Sequence, residues 1–584
     1  MEPRQKLINS AEVCVDEALC GLVRANGGLS RMWGGHRVLL RSDLNLLRGK
    51  VALLSGGGSG TNEPAHGGFI GEGMLSAAVA GGVLLLLLLP SILAAILCLH
   101  KAGAQGVLLI VKNYTGDRLN FGLAAEQARN HGVDVDMGIV AYDCGLNQPS
   151  KAGRRGLCGT IFIHKVAGAL AEEGCSLIQM FPSVCVCVCV TGTLGVSLSP
   201  CSVPGCLPSF DLPPGDMEIG LGIHGEPGIK RSKMASADEV VKTMIDHMTN
   251  NDSQSHLPLK SGNSVVVCVN NLGALSCLEM AVVTRATIIC LESRGVVVAR
   301  VMSGSFMTSL EMVGVSLTVM TVDQETLRLF DAKTSAPAWP NLSSVCVSGR
   351  SFITEAPEMS PHPQDHTHKE GPLSPVMRKA LVKVCTTLLE KQEELNALDR
   401  ASGDGDCGNT HAQAAKAIQE WLQDHVVPGC PGRLLSVLAG LVQEKMGGSS
   451  GALYSLFLTA AAGHVTEGQS NGAAWATAMH AGTQAMKKYG GADVGDRTML
   501  DALCPAVDEL MKLKTAPPGG QLAVLQNAVK KASLGAESTL DLTAMAGRAS
   551  YIAAERVSLP DPGAVAVATI MRTVMETLEE EKKK

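Results

Sequence analysis

The strongest constraint on the fold is a series of short apolar, β-branched runs that alternate with Ala- and Leu-rich segments between Arg37 and Val322. Such runs, bounded by turn residues, are typical of buried strands, and the segments between them have helical spacing. Six runs stand out: VALLSGG (51–57), VLLIVKN (107–113), GIVAY (138–142), SVVVCVN (264–270), VVVARV (296–301) and SLTVMTV (316–322). The pattern predicts an α/β domain. Several runs end in clusters of Gly, Asn and Asp. These clusters lie at the carboxyl ends of the predicted strands, where open α/β sheets usually bind ligands.

The pattern changes beyond residue 350. The segment 354–375 is rich in Pro, His and charge without apolar periodicity, which predicts a solvated linker, although its histidines leave metal binding open. Ser374 and Pro375 then predict an N-cap and a first-turn proline, and helical periodicity follows. A chain of 584 residues exceeds one hydrophobic core. We expect an α/β domain at 1–350, a linker at 351–374 and an all-helical domain at 375–584.

Composition argues against nucleic acid as a partner. The net charge is −6, aromatic residues make up 3% of the chain, and basic residues form no stripe apart from the final KKK. The 19 cysteines lack the paired spacing of zinc sites, and the N-terminal segment does not resemble a signal peptide. These features indicate a small-molecule substrate and free thiols in a reducing cytosol.

One segment leaves a membrane alternative open. Residues 74–99 carry no formal charge and are long enough to cross a bilayer. Pro90 interrupts the segment, and the flanking sequence is typical of a water-soluble α/β protein. We therefore expect a buried helix here.

Two loops of the α/β domain offer candidate ligand groups. Gly58, Ser59 and Gly60 follow the first strong strand, and glycines there allow backbone N–H groups to approach a ligand's oxygens, although a plain turn has the same composition. Lys112 and Asp117 follow the second strand. Asp117 could accept a hydroxyl proton, or the two could form a solvated ion pair.

A third loop, LGIHGE, contains His224 with glycines close on both sides. A histidine in such a loop can act as nucleophile, base or hydrogen-bond partner. Taken alone, the pattern favours a structural loop histidine.

The helical domain carries the sharper signal. Asp399, Asp404 and Asp406 form a D-x4-D-x-D pattern in a glycine-rich turn after an amphipathic helix. Carboxylates that converge in this way are costly without a cation, and Mg²⁺ prefers oxygen ligands that bridge it to nucleotide phosphates. The alternative is a turn that uses Asp and Gly for their backbone preferences.

Two later loops fit phosphate. MGGSSG contains the hydroxyls of Ser449 and Ser450, and GDRTMLD contains Arg497, whose planar donors suit phosphate oxygens. The combination indicates phosphoryl transfer without a P-loop or the protein-kinase motifs.

Together these strings resemble the dihydroxyacetone kinase family over nearly the whole chain. The strings that carry the resemblance are KNYTGDRLNFGLAAEQAR, KAGRRGLCGT, GTLGVSLSPCSVPG, GLGIHGE, LDRASGDGDCG, EKMGGSSGALY, GDRTMLD and GRASYI. The resemblance implies a triose-binding domain of two α/β lobes, followed by an antiparallel helical barrel that presents Mg-ATP.

The resemblance also implies residue roles. His224 would attack the substrate carbonyl and hold the triose as a hemiaminal, and Asp117 would receive the proton of the hydroxyl that is phosphorylated. Substrate contacts would come from Gly58, Ser59, Gly60, Lys112 and Asp117. Asp399, Asp404 and Asp406 would bind metal. The ATP site would comprise Asp404, Gly405, Asp406, Cys407, Ser449, Ser450, Arg497, Thr498 and Asp561.

The implied activity is phosphorylation of dihydroxyacetone and glyceraldehyde by ATP with Mg²⁺. In the animal branch of the family, the resemblance further implies cleavage of FAD to AMP and riboflavin cyclic 4′,5′-phosphate, with Mn²⁺. A cytosolic homodimer is expected, with neither nucleic acid nor a membrane as partner.

The chain departs from the family pattern in three places. Thr61 and Asn62 replace a single histidine in GGGSG-His-Glu-Pro, so the expected general acid/base is absent. A leucine run at 84–89 replaces a polar segment, and FPSVCVCVCV at 181–190 replaces a charged helix and resembles a translated GT repeat. A catalytically impaired protein that binds nucleotide or triose is therefore the alternative function.

Overall fold

The computed structural model divides the chain into two compact units, Met1–Glu355 and Ala356–Lys584, which are described separately below. Its description covers the chain except for residues 1–4, 58–61, 63, 83–88, 149, 209, 351, 357–368, 402, 467, 469, 516, 518, 553–558 and 584. The glycine loop at 58–60, most of the leucine run and most of the linker therefore lie outside the described residues.

The first unit begins with a six-stranded sheet in the order β1-β2-β4-β3-β5-β6. Strands β4, β3, β5 and β6 run parallel, while β1 and β2 form an antiparallel edge. The bounds are β1 Leu29–Arg31, β2 Val38–Arg41, β3 Val51–Gly57, β4 Ala77–Ala80, β5 Gly106–Lys112 and β6 Val135–Val140. Strands β3 and β5 are buried along their whole length, as expected for a sheet covered on both faces.

A second six-stranded sheet has the order β11-β10-β12-β7-β8-β9. Only β10 and β11 pair in parallel; the other pairs are antiparallel. The bounds are β7 Thr191–Ser197, β8 Asp216–Ile219, β9 Lys230–Lys233, β10 Ser264–Asn271, β11 Val297–Gly304 and β12 Gly314–Thr321. Two sheets in one unit confirm the expected pair of lobes.

Eight helices accompany these sheets in the described part of the first unit. They are α1 Cys14–Ala25, α2 Leu89–Lys101, α3 Thr115–Asn130, α4 Thr160–Glu172, α5 Leu177–Cys189, α6 Ala237–Met248, α7 Cys277–Glu292 and α8 Gln324–Asp331. Helix α4 is buried along almost its whole length and shares one apolar core with side chains from both sheets. Helices α2 and α3 pack on the first sheet, and α6 and α7 pack on the second.

The structure confirms the six predicted strands and corrects the prediction of a single helix for the segment 74–99. This segment contains strand β4 and most of helix α2 rather than one helix, and Pro90 lies in the first turn of α2, where its missing N–H is tolerated. Among the described residues, no helix has both the length and the apolar character needed to cross a membrane. All 19 cysteines are free thiols.

The Val-Cys repeat forms helix α5. Met180, Val184 and Cys187 follow helical spacing and are buried in the core shared by the two sheets. The segment that departs from the family pattern is therefore compatible with the packing of this unit.

The described part of the second unit has no strand longer than an isolated bridge residue. Its helices are α9 Ser374–Glu390, α10 Gln392–Arg400, α11 Cys407–Asp424, α12 Pro431–Lys445, α13 Gly448–Ala462, α14 Gly472–Gly490, α15 Leu500–Leu510, α16 Gly520–Ser538 and α17 Pro562–Lys583. Ser374 is already helical, with Leu373 as the cap, so the predicted helix start is displaced by one residue.

From α11 to α17, each helix packs on the next, and both α11 and α17 contact α9, which closes a ring. The ring surrounds an apolar cavity of about 690 Å³. This closed ring confirms the expected helical barrel.

Candidate functional site

Lys112, the last residue of β5, is completely buried. Its ammonium nitrogen lies 5.6 Å from the centre of the Tyr114 ring and has no hydrogen-bond partner among the described residues. Burial lowers the pKa of Lys112, and the carboxylates of Asp117 and Glu226 oppose this shift. A buried ammonium without a direct partner is costly, so this position suits a polar ligand.

Asp117 lies in the first turn of α3 and is buried. The N-terminal end of a helix favours a negative charge, which stabilises the ionised carboxylate there. The short β5–α3 turn brings Asp117 near Lys112, since the two groups influence each other electrostatically. A carboxylate and an ammonium group therefore share the carboxyl end of β5.

His224 reaches the same corner from the second lobe. Its ring packs edge-on against Tyr114, with the ring centres 4.6 Å apart. The His224 backbone N–H donates to Glu226 Oε2 at 2.8 Å, and Nδ1 lies 3.7 Å from Oε1. Burial would raise the pKa of Glu226, but its hydrogen bonds to His224 and the electrostatic influence of that ring lower it to about 2. Because Nδ1 faces this carboxylate, Nε2 is the nitrogen available to a ligand.

Asn62 connects the first lobe to this histidine loop. Its amide nitrogen donates to the carbonyl oxygens of Ile223 at 3.2 Å and Thr308 at 3.0 Å, and the side chain is buried. The residue that departs from the family pattern is thus a structural link to the residue before His224. Gly58, Ser59, Gly60 and Thr61 lie outside the described residues.

A buried histidine pair lies beneath this corner. His66 Nδ1 is 2.9 Å from His164 Nε2, on α4, and 3.4 Å from Ser55 Oγ. Burial lowers the pKa of both rings, to about 3 for His164, so both histidines are neutral. Neither histidine was assigned to the site from the sequence. The available signal was a histidine and a lysine within the apolar helix TIFIHKVAGAL.

An ion pair braces the loop before His224. The Arg155 guanidinium donates to buried Asp143 at 2.6 Å and to the carbonyl oxygen of Gly220 at 2.7 Å. Burial raises the pKa of Asp143, with Arg155 opposing that shift. Sequence reasoning quoted the surrounding string KAGRRGLCGT but assigned it no role.

In the second unit, the turn between α10 and α11 gathers three carboxylates. Oxygens of Asp399, Asp404 and Asp406 lie within 4.8 Å of one another. Asp399 Oδ2 accepts the backbone N–H groups of Asp406 at 2.9 Å and Cys407 at 3.1 Å, which fixes its orientation. A Cβ on Gly403 would lie 2.4 Å from Asp399 Oδ1, so a larger residue there would displace this carboxylate. Three converging oxygen donors fit a Mg²⁺ or Mn²⁺ ion.

Arg497 is buried and has a left-handed backbone, with φ of 60°. One guanidinium nitrogen donates to the Leu559 carbonyl oxygen at 2.6 Å, whereas Nε and Nη1 have no partner among the described residues. Asp501 binds the backbone N–H groups of Gly495 and Thr498. Asp501 therefore organises the backbone of the loop that carries Arg497.

Asp561 stands next to Arg497. Its carboxylate accepts the Ala564 N–H at 2.7 Å. Burial raises the pKa of Asp561 to about 6, and the nearby charges of Asp501 and Asp399 act in the same direction. These electrostatic interactions indicate that Asp561, Arg497 and the acidic turn lie close together.

Ser449 and Ser450 lie in the first turn of α13, where free backbone N–H groups favour anions. Helix α13 connects to the acidic turn through Tyr454, whose hydroxyl lies 3.2 Å from His411 Nε2. His411 Nδ1 in turn lies 2.8 Å from the carbonyl oxygen of Cys407.

Two residues of the turn contribute through the backbone. Gly405 has a φ of 80°, and Cys407 is the first residue of α11. Burial raises the pKa of Cys407 to about 12, which keeps its thiol protonated and unreactive.

Comparison with known proteins gives matches for both units. Residues 20–338 match the Dak1 domain and residues 401–576 match the DAK2 domain. The chain is 55% identical to the Homo sapiens protein named triokinase/FMN cyclase, covering 98% of this chain and 99% of that protein. It is 38% identical to the dihydroxyacetone kinase of Citrobacter freundii, with 93% of each covered. A crystal structure of the C. freundii dihydroxyacetone kinase with AMP-PNP and Mg²⁺ matches with a TM-score of 0.72 at 34% identity, covering 98% of this chain and 99% of that one.

Proposed function

Because the chain belongs to the dihydroxyacetone kinase family, we propose that it phosphorylates dihydroxyacetone and glyceraldehyde with ATP and also cleaves FAD to AMP and riboflavin cyclic 4′,5′-phosphate. The observation that carries the kinase proposal is the convergence of Asp399, Asp404 and Asp406 within the unit that matches the DAK2 domain. The names of the human and bacterial relatives support a triose as the phosphate acceptor.

His224 is the proposed carbonyl-binding residue. Nε2 would form a bond to the carbonyl carbon, and the carbonyl oxygen would take up a proton to give a hemiaminal. The Glu226 carboxylate, 3.7 Å from Nδ1, would stabilise the positive charge that develops on the ring. An addable carbonyl distinguishes a triose from glycerol, which lacks one.

Asp117 is the proposed base for the hydroxyl that attacks the γ-phosphate. Its carboxylate would accept the hydroxyl proton while the Lys112 ammonium binds an oxygen of the same triose. The proximity of Lys112, Tyr114 and His224 supports a single triose site. Gly58, Ser59 and Gly60 would complete this site.

Asp399, Asp404 and Asp406 would hold Mg²⁺ for the kinase reaction and Mn²⁺ for FAD cleavage. When bound, the metal neutralises phosphate oxygens during phosphoryl transfer. The backbone N–H groups that hold Asp399 keep its carboxylate oriented before any metal arrives.

The nucleotide would be held around this turn. The α13 N-terminus would bind phosphate oxygens through its backbone, and the unpaired guanidinium nitrogens of Arg497 would bind them as donors. The proposed ATP contacts are Asp404, Gly405, Asp406, Cys407, Ser449, Ser450, Arg497, Thr498 and Asp561. FAD contains the same adenosine diphosphate portion, so one site can serve both reactions.

A regulatory protein without turnover is not favoured. The chain keeps His224, Asp117, Lys112 and the three aspartates, and the human relative is similar over nearly its full length. The substitution at Thr61 and Asn62 leads us to propose slower, rather than absent, triose phosphorylation.

The test is ADP release by the full chain with Mg-ATP in the presence of dihydroxyacetone, glyceraldehyde or glycerol. Both trioses should stimulate release and glycerol should not. FAD loss with Mn²⁺, followed by chromatography of AMP and the cyclic product, tests the second reaction. Triose binding without any stimulated ADP release would favour the regulatory alternative.

A further inference from the structure

Two buried polar nitrogens converge beside Gly57, at the end of β3. His66 Nε2 and Lys112 Nζ both lack a hydrogen-bond partner among the described residues. A Cβ on Gly57 would lie 3.3 Å from Lys112 Nζ and 3.9 Å from His66 Nε2. Gly57, Asn62 and His66 also line a small cavity. Buried polar atoms are nearly always paired in native proteins, so two orphans at one point indicate a ligand that pairs them.

The neighbours of His66 determine which of its nitrogens carries the proton. The Ser55 hydroxyl donates to the Ile110 carbonyl oxygen at 2.7 Å, so Ser55 Oγ can only accept from the histidine. A proton on His66 Nδ1 therefore finds two acceptors, His164 Nε2 at 2.9 Å and Ser55 Oγ at 3.4 Å. An unprotonated Nδ1 would instead point its lone pair at the lone pairs of Ser55 Oγ, which is unfavourable. The Nδ1-protonated tautomer is favoured, which leaves Nε2 as an acceptor.

The ring also remains uncharged next to Lys112. Burial lowers the pKa of His66, and the His164 and Lys112 groups lower it further. The corner thus presents one neutral acceptor, His66 Nε2, and one donor, Lys112 Nζ. A hydroxyl group can donate to the first and accept from the second, whereas a carbonyl oxygen can satisfy only the donor.

We propose that His66 is a substrate-binding residue that, together with Lys112, recognises a hydroxyl group of the triose, and that His164 is a positioning residue that sets the His66 tautomer. This inference rests on the proposed triose kinase function and adds a specificity determinant to the same site. It assigns a role to a histidine that lies beyond the altered Thr61-Asn62 position in the sequence.

The test measures binding rather than turnover, using calorimetric titration of the full chain with dihydroxyacetone and with hydroxyacetone, which has one hydroxyl fewer. The wild-type chain should prefer dihydroxyacetone. His66→Leu should weaken dihydroxyacetone binding at least about tenfold, since sites built to bind a hydroxyl discriminate strongly against its loss. The preference for dihydroxyacetone over hydroxyacetone should also shrink at least about tenfold, because the recognised hydroxyl keeps only Lys112 as its partner.

A matched pair of variants separates this role from a merely structural one. Glutamine places its amide near the position of Nε2, whereas asparagine ends near Nδ1 and leaves the Nε2 position empty. His66→Gln should retain the preference for dihydroxyacetone, and His66→Asn should lose it. This pair also replaces His66→Leu if that variant fails to fold.

Each outcome bears on a different statement. If His66→Leu and His66→Asn both keep the wild-type preference for dihydroxyacetone over hydroxyacetone, the role of His66 is overturned. The triose kinase proposal would then remain intact. Failure of the wild-type chain to bind either ligand would overturn both.

Discussion

At the residue scale, the two candidate sites share buried polar atoms that the described protein groups leave unpaired. Lys112, His66 and Arg497 all contain such atoms. Each unmet buried hydrogen bond costs about 1 to 3 kcal/mol, which a ligand can recover on binding. These residues therefore lower the stability of the free protein and increase its affinity for a ligand.

The first residue-scale prediction concerns metal binding. Asp404→Asn should weaken Mg²⁺ and Mn²⁺ binding at least about tenfold and slow both reactions, because a charged oxygen ligand is lost. Rates measured across a titration of each metal test this, with Asp424→Asn on the exposed end of α11 as the matched control. Identical metal dependence in Asp404→Asn and the wild type would show that the acidic motif is only a turn.

The second residue-scale prediction concerns the covalent binding of the substrate carbonyl by His224. His224→Ala should abolish triose phosphorylation while leaving FAD cleavage within about twofold of wild type, because the imidazole is needed only to bind the carbonyl. Intact-mass analysis after trapping with dihydroxyacetone should show an adduct in the wild type and in the exposed control His131→Ala. An adduct that persists in His224→Ala would contradict the assignment.

The positions of candidate residues were predictable from sequence where a motif placed polar side chains at the end of a strand or helix. Lys112 and Asp117 were predicted to lie together, and the structure brings them to one corner. His164 was not predictable, because its partner His66 is 98 positions away and only the packing of α4 brings the rings together. Assignment of all these residues to substrate or nucleotide remains a prediction.

At the element scale, α4 illustrates how packing overrides helix propensity. Ala normally stabilises a helix by about 1 kcal/mol relative to Gly. A Cβ on Gly168 of α4, however, would lie 2.3 Å from the backbone oxygen of Gly73, so the two backbones are in direct contact.

We therefore expect Gly168→Ala to destabilise the protein by at least about 2 kcal/mol, through overpacking in the core. Gly122 in α3 is the matched control, since its Cβ would meet only Met137 Cε at 3.9 Å. Gly122→Ala should be neutral or stabilising by up to about 1 kcal/mol. Urea denaturation of both variants tests the contrast, and equal stabilities would show that α4 can shift away from Gly73.

The altered first loop gives another element-scale prediction. Replacing Thr61-Asn62 by a single His restores a group that can transfer protons near pH 7, which typically contributes about a hundred- to ten-thousand-fold to rate. We expect triose turnover to rise at least about tenfold while the FAD rate stays nearly constant.

The repair also removes the Asn62 bonds to Ile223 and Thr308, so thermal unfolding should be compared. Asn62→Ala alone is the control for those bonds. A folded repaired protein that is no faster than the starting chain would contradict the role given to this loop.

Strands were predictable where apolar runs were long, as in β3 and β5. The strands β1, β2, β4, β7, β8 and β9 were not predicted, and β9, with the sequence KRSK, is polar and mostly exposed. Run length also cannot distinguish parallel from antiparallel pairing, which differs between the two sheets. Pairing depends on connections that local periodicity does not encode.

At the scale of the whole molecule, the neutral histidine pair predicts pH-dependent stability. The folded pKa values of His66 and His164 lie below the ordinary value of about 6.5. The unfolded chain then binds more protons as the pH falls below about 6.5, so stability decreases in that direction.

Between pH 6.5 and 5.5, each of the two histidines should remove about 1 kcal/mol from the free energy of unfolding. Denaturation of the full chain across this range tests the loss, and His164→Gln should reduce the pH dependence. A stability that is constant down to pH 5.5 would contradict burial of the pair in neutral form.

The closed ring of the second unit has a consequence for its synthesis on the ribosome. Helix α9 packs against α17, where Lys379 forms ion pairs with Glu580 and Glu581, yet α17 begins only at Pro562. At translation speeds of 5 to 20 residues per second, α9 would wait roughly 10 to 40 s for this partner. The apolar face that later borders the cavity is exposed meanwhile, so the nascent ring is a natural client for chaperones.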